Sequence, residues 1–168
     1  MADLCTRRQI MKSGAAAAAL GMPRRGVSAP VAPVAVAKCP AYGAGVLPAL
    51  ETMFDQLGGL GRIAKGKTVA IKLNLTGRAD IRLGNIGAGR AQWVHPDAIA
   101  AVVHLLDRAG ARRIRLLESP WSTAEPLEEF MISGGWDPGY FLSAASRVEF
   151  ENTNFLGPAK HYSRFKVP

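Results

Sequence analysis

Apolar side chains at Val46, Leu47, Leu50, Met53, Phe54 and Leu57 recur at the spacing of one helical face, and Gly58-Gly59 closes the run. The spacing predicts an amphipathic helix over 46–57, with Pro48 tolerable only in its first turn. The pattern then changes. Thr68 to Leu75 is rich in β-branched and apolar residues, as in a mostly buried parallel strand. His95-Pro96-Asp97 opens a second helix, with proline suited to its first position and aspartate to the positive end of its dipole. Ile99, Val102, Val103, Leu106 and Ala109 share one face of it, and Gly110 ends it.

Arg113 to Glu118 reads as a second strand, bounded by Ser119-Pro120. Ser122 to Glu125 offers a capping box for a third helix to about Ile132, although Pro126 blurs its start. A short helix is expected over 138–145, and Arg147 to Glu151 alternates as a third strand. Strand, helix, strand, helix, strand predicts right-handed parallel crossovers. The expected fold class is therefore α/β, a three-layer arrangement around a mostly parallel sheet.

Composition narrows the class without naming a chemistry. The 168 residues are 48% hydrophobic and 20% charged, with mean hydropathy +0.07, the profile of a globular domain rather than a disordered or fibrous chain. Arg24 and Arg25 interrupt the one weakly apolar run, around Ala15 to Ala19, before it reaches the roughly 18 residues a membrane span needs. No permanent membrane span is expected. Cys5 and Cys39 cannot supply the four thiolates of an iron–sulfur cluster, nor build a disulfide framework, so no such cluster is expected within the chain.

The net charge of +8 divides evenly: residues 1–37 carry five basic side chains against Asp3, and the other 131 residues hold the remaining +4 without a dense stripe. The cluster Arg112, Arg113 and Arg115 falls at a strand start, where solvent contact explains it. Nucleic-acid binding is not expected.

Thr6-Arg7-Arg8-Gln9-Ile10-Met11-Lys12 pairs two arginines with two apolar residues and a lysine, ahead of the mildly hydrophobic Ala15 to Met22. This resembles a twin-arginine export signal, in which Arg7, Arg8 and Lys12 are the signal residues. Ala35-Val36-Ala37 offers a small-x-small cleavage site, with Val27-Ser28-Ala29 as a second choice. Five consecutive alanines bury little area, which argues against a docked helix. The resemblance implies the twin-arginine translocase as a partner and a periplasmic or secreted location. The expected division is a signal peptide over 1–37, a linker and amphipathic helix over 38–63, and an α/β domain over 64–168.

Two glycine motifs fail on context. Gly61 to Thr68 matches the nucleotide-phosphate loop letter for letter, but a helix precedes it and a strand follows, the reverse of what that loop requires. The expected structure is a helix-to-strand turn. Gly84, Gly87 and Gly89 echo a dinucleotide fingerprint in the wrong order, so close backbone approach or mobility explains them better. The usual esterase, zinc and protease signatures are absent from the sequence.

Position supplies the remaining candidates. In open parallel sheets, ligands collect beyond the carboxyl ends of the strands. That edge would receive Asn74 and Thr76 from the first strand, His95 from a helix start, Glu118 and Ser119 from the second strand, and Asn152 and Asn154 from the third. Lys72 alternates onto the side of Asn74, either facing solvent or buried near an anionic ligand. The ligand-binding candidates are Lys72, Asn74, His95, Glu118 and Ser119, for an unknown small-molecule ligand. His95 with Glu118 is the only metal pair, and no third ligand stands at a telling spacing. Each has a plainer role: Asn74 closes a turn, His95 caps its helix, and Glu118 pairs with Arg78 or Arg90. His104 is expected to point outward, and His161 lies in a polar tail.

Three blocks, Val69 to Asn74, Val94 to Val102 with Arg108 to Ala111, and Ile114 to Pro120, are similar to the domain of unknown function 362 family. Its members pair an Ile-Lys-Pro-Asn-like strand with a Thr-His-Pro-led helix and an Asp-Ser-Pro strand end. The resemblance runs from about Ala64 onward. It departs at Leu73, Val94 and Glu118, where proline, threonine and aspartate are common; glutamate keeps the carboxylate and lengthens its reach. Some relatives carry ferredoxin-like iron–sulfur modules, a part this chain lacks the cysteines to share. Relatives are longer, so the resemblance implies an incomplete N-terminal portion of a larger domain. Two functions follow as expectations: an exported protein binding a small anionic ligand or metal at the sheet edge, or a noncatalytic binding module or inactive remnant.

Overall fold

The structure is a computed structural model and describes residues 32–120 and 125–154. The twin-arginine residues, the Val27 to Ala29 site, the capping box from Ser122 and His161 lie outside the described residues.

Three strands, β1 (Thr68–Lys72), β4 (Arg113–Glu118) and β5 (Val148–Asn152), form a parallel sheet in the order β1-β4-β5. Thr68 pairs with Arg113 and Lys72 with Leu117, while Ile114 pairs with Val148 and Glu118 with Asn152. The helices are α1 (Val46–Gln56), α2 (Gly61–Ala64), α3 (Ala88–Ala91), α4 (Pro96–Arg108), α5 (Leu127–Ser133) and α6 (Pro138–Ala144). A short antiparallel ribbon, β2 (Arg82–Leu83) with β3 (Ile86–Gly87), completes the elements of the described residues. The α/β class follows the sequence pattern, and the three sheet strands are those its alternation marks.

Local chemistry explains the boundaries. His95 caps α4 by accepting from the Asp97 amide at 3.2 Å, Pro96 fills the first position, and Gly110 takes a φ of +81° just past the end. Asp137 caps α6 through the Gly139 amide at 2.8 Å. Strand β1 ends at Lys72 rather than at Leu75. The Leu73 amide still reaches the Leu117 carbonyl at 2.8 Å, but the Leu75 amide turns to a side chain, and the ladder stops.

Alternation gives the sheet two unlike faces. Val69, Ile71, Ile114, Leu116, Val148 and Phe150 face a core that also holds Ile99, Val103 and Leu106 of α4, Phe130 and Met131 of α5, and Phe141 of α6. On the other face Arg113 bonds Glu149 and Arg115 bonds Glu151, each arginine reaching diagonally to the acid of the next strand. Hydrogen bonding to Arg113 holds the Glu149 carboxyl below the usual range, and the reciprocal bond raises the Arg113 guanidinium.

Among the described residues the helices pack on one face of the sheet. A strand order that steps the same way twice, with right-handed crossovers, sends both connections over one face. The division at residue 63 also shifts, because α1 packs on α4 and Glu51 bonds Arg108 at 2.6 Å. The segment over 38–63 belongs to the same helical layer.

Gly61 to Thr68 is the expected turn: α2, then a bend at Gly66 with φ +72°, then β1. The second glycine stretch achieves the close approach. The Gly89 amide donates to the Gly134 carbonyl at 2.9 Å and Trp136 Nε1 donates to the Gly89 carbonyl at 2.7 Å, leaving no room for a side chain on Gly89.

Candidate functional site

The carboxyl edge of the sheet brings Lys72, Glu118 and Ser119 into contact and sets Asn74 beside them. Glu118 is at the centre. Its side chain is 6% exposed, and Lys72 Nζ lies 2.9 Å from each of its oxygens. The Leu75 amide donates to Oε2 at 2.9 Å and the Ser119 amide to Oε1 at 2.8 Å. An ionised carboxylate offers about four lone-pair directions, and the two amides with the bridging ammonium fill them. The pairing expected with Arg78 or Arg90 is replaced by Lys72, since Arg78 is held by Asp80, with Nε to Oδ1 at 2.9 Å.

The neighbouring candidates serve the backbone. Asn74 accepts from the Thr76 hydroxyl at 3.3 Å, and its carbonyl accepts from the Val94 amide at 3.1 Å, which ties the end of β1 to the approach of α4. Ser119 Oγ lies 2.5 Å from Thr153 Oγ1, and Thr153 donates from amide and hydroxyl to the Glu118 carbonyl at 2.8 and 3.0 Å. Asn152 Nδ2 donates to the Glu125 carbonyl at 2.7 Å, and Asn154 Nδ2 to that of Pro120 at 2.5 Å. Sequence reasoning missed Thr153 and the Leu75 amide. Residue order carries no signal for either, because both contacts are set by where the ladder ends.

His95 makes none of the contacts of Glu118. Its Nδ1 accepts from the Asp97 amide, so that nitrogen carries no proton, and the 3.7 Å separation from Asp97 Oδ2 is not an ion pair in that tautomer. The ring stacks on Tyr42 with centroids 3.6 Å apart and planes 5° from parallel. Among the described residues no three His, Cys, Asp or Glu side chains gather to hold a metal. The lone pairs of Glu118 are filled within the chain, and Nδ1 of His95 is engaged in its own helix cap.

No family model, curated protein or solved structure matches this chain.

His104 is half-buried, its Nδ1 3.3 Å from the Ala144 carbonyl, so it tethers α4 to α6 rather than pointing outward. Cys39 is a free, exposed thiol whose Sγ donates to the Ala41 carbonyl at 3.2 Å. No helix among the described residues is long and apolar enough to cross a membrane.

Proposed function

We propose that this chain is an exported, noncatalytic α/β binding module in which Lys72, Asn74, Glu118 and Ser119 hold the sheet edge together, His95 caps α4, and none of the five does chemistry there. One observation carries the reading: every acceptor direction of Glu118 is used within the chain, so the group best placed for acid–base or metal work has no capacity left.

A melting scan tests the reading. A ligand at about 100 times its Kd adds about 2.7 kcal/mol of stability, enough to move Tm by several degrees. Manganese, zinc and inorganic phosphate are each expected to leave Tm unchanged. The competing reading is anion capture by Lys72, which draws on the 66% exposure of its side chain. A phosphate shift that disappears in Lys72→Met, or a metal shift that disappears in Glu118→Gln, replaces the module with that ligand site.

Export rests on Arg7, Arg8 and Lys12. With a reporter fused to the chain's carboxyl end in a bacterium that has the translocase, Arg7→Lys with Arg8→Lys is expected to keep the reporter in the cytoplasm. Undiminished export of the double variant would remove the twin-arginine assignment.

A further inference from the structure

A cleft of about 550 Å³ lies between the start of α1, the side of α4 that carries Asp97, Ala100, Ala101 and His104, and α6. Its walls are small: Gly43, Ala44, Ala100, Ala101 and Ala144 leave the space open. None of the residues that line it is lysine or arginine, and the sole formal charge is Asp97.

The two polar positions on α4 are both short of donors. Asp97 Oδ1 accepts from the Tyr140 hydroxyl at 3.2 Å. Oδ2 has only His95 Nδ1 nearby, and that nitrogen is already an acceptor, so Oδ2 receives no hydrogen bond among the described residues. Seven residues along the helix, about 10 Å at 1.5 Å per residue, His104 donates from Nδ1 to a carbonyl that can only accept. In the neutral ring Nε2 is then an acceptor, and it has no partner among the described residues. Burial and the charge of Asp97 raise the Tyr140 hydroxyl above its usual value, so it remains the donor of that bond.

We propose that this cleft binds a small organic amine, its ammonium on Asp97 Oδ2, its apolar body over Ala100 and Ala101, and a hydroxyl or second amine donating to His104 Nε2. An anion meets the Asp97 carboxylate there and finds no lysine or arginine in the lining. A neutral apolar molecule leaves the carboxylate oxygen without the donor that makes the site selective. The inference is independent of the sheet edge.

Three probes sharing one ring separate the outcomes: tyramine, the neutral alcohol tyrosol and the anion 4-hydroxyphenylacetate. Calorimetric titration of the full chain is expected to give saturable binding of tyramine and none of the acid, with tyrosol at least about tenfold weaker, the loss of one charge-assisted contact. Asp97→Asn keeps an acceptor at the helix start and is expected to weaken tyramine to the level of tyrosol. Should that variant fold poorly, Ala101→Leu fills the cleft floor with the carboxylate intact and is expected to abolish binding. No heat with tyramine on the wild type, equal binding of the acid, or tyramine affinity that survives both variants overturns the proposal.

Discussion

Glu118→Ala is expected to destabilise the fold by about 3 kcal/mol, read as a lower urea midpoint at unchanged slope. The Leu75 and Ser119 amides lose their acceptor at a buried position, and each orphaned donor costs about 1–3 kcal/mol. Lys72 contributes less, because a side chain 66% exposed regains water when its partner is removed. Lys72→Met should therefore cost under about 1 kcal/mol, and Glu118→Gln should fall between, since one oxygen becomes a donor facing donors. If Lys72→Met proved as damaging as Glu118→Ala, the ion pair and not the amide clamp would hold the edge, and the structural role assigned to Glu118 would fail.

Gly134→Ala is expected to cost at least about 3 kcal/mol. The backbone at Gly134 has φ −85° and ψ −1°, which any residue tolerates, so the whole effect is steric. A Cβ there would sit 2.0 Å from Trp93 Cη2 and 2.4 Å from its Cζ3. The indole cannot yield. Its Nε1 donates to the Thr76 carbonyl at 3.1 Å, its face stacks on Phe130 at 5.3 Å, and Trp136 meets it edge-on at 5.4 Å. Trp93→Phe shortens the ring, so the double variant should recover part of the loss, a favourable coupling in a double-mutant cycle. Additive losses would mean that some other contact sets the requirement for glycine.

Legibility differed by kind of signal. α4 and β4 were readable because a cap, a periodicity and a terminating glycine or proline agree within each segment. The ribbon β2-β3 and the single turn α3 were not, because four-residue elements have no period. Their shape depends on Gly89 meeting Gly134 and Trp136, some 45 residues away. The end of β1 was hidden for the same reason: composition runs on to Leu75, but a carboxylate from another strand takes its amide.

The candidate site was half legible. Topology placed Lys72, Asn74, Glu118 and Ser119 at one edge, as the parallel order requires. Their partners were not readable, since strict alternation assigns Lys72 and Glu118 to opposite faces and the two meet only because the ladder ends there. Asp97 read as a dipole complement, and nothing in its sequence surroundings marks the oxygen that the His95 tautomer leaves bare.

The knot of Gly89, Trp93, Gly134 and Trp136 also governs how the molecule opens. It joins the segment entering α4 to the segment leaving α5 by one main-chain hydrogen bond and one from the Trp136 indole, so loosening either crossover breaks contacts of the other. Transient opening of one half must expose the tryptophans of both.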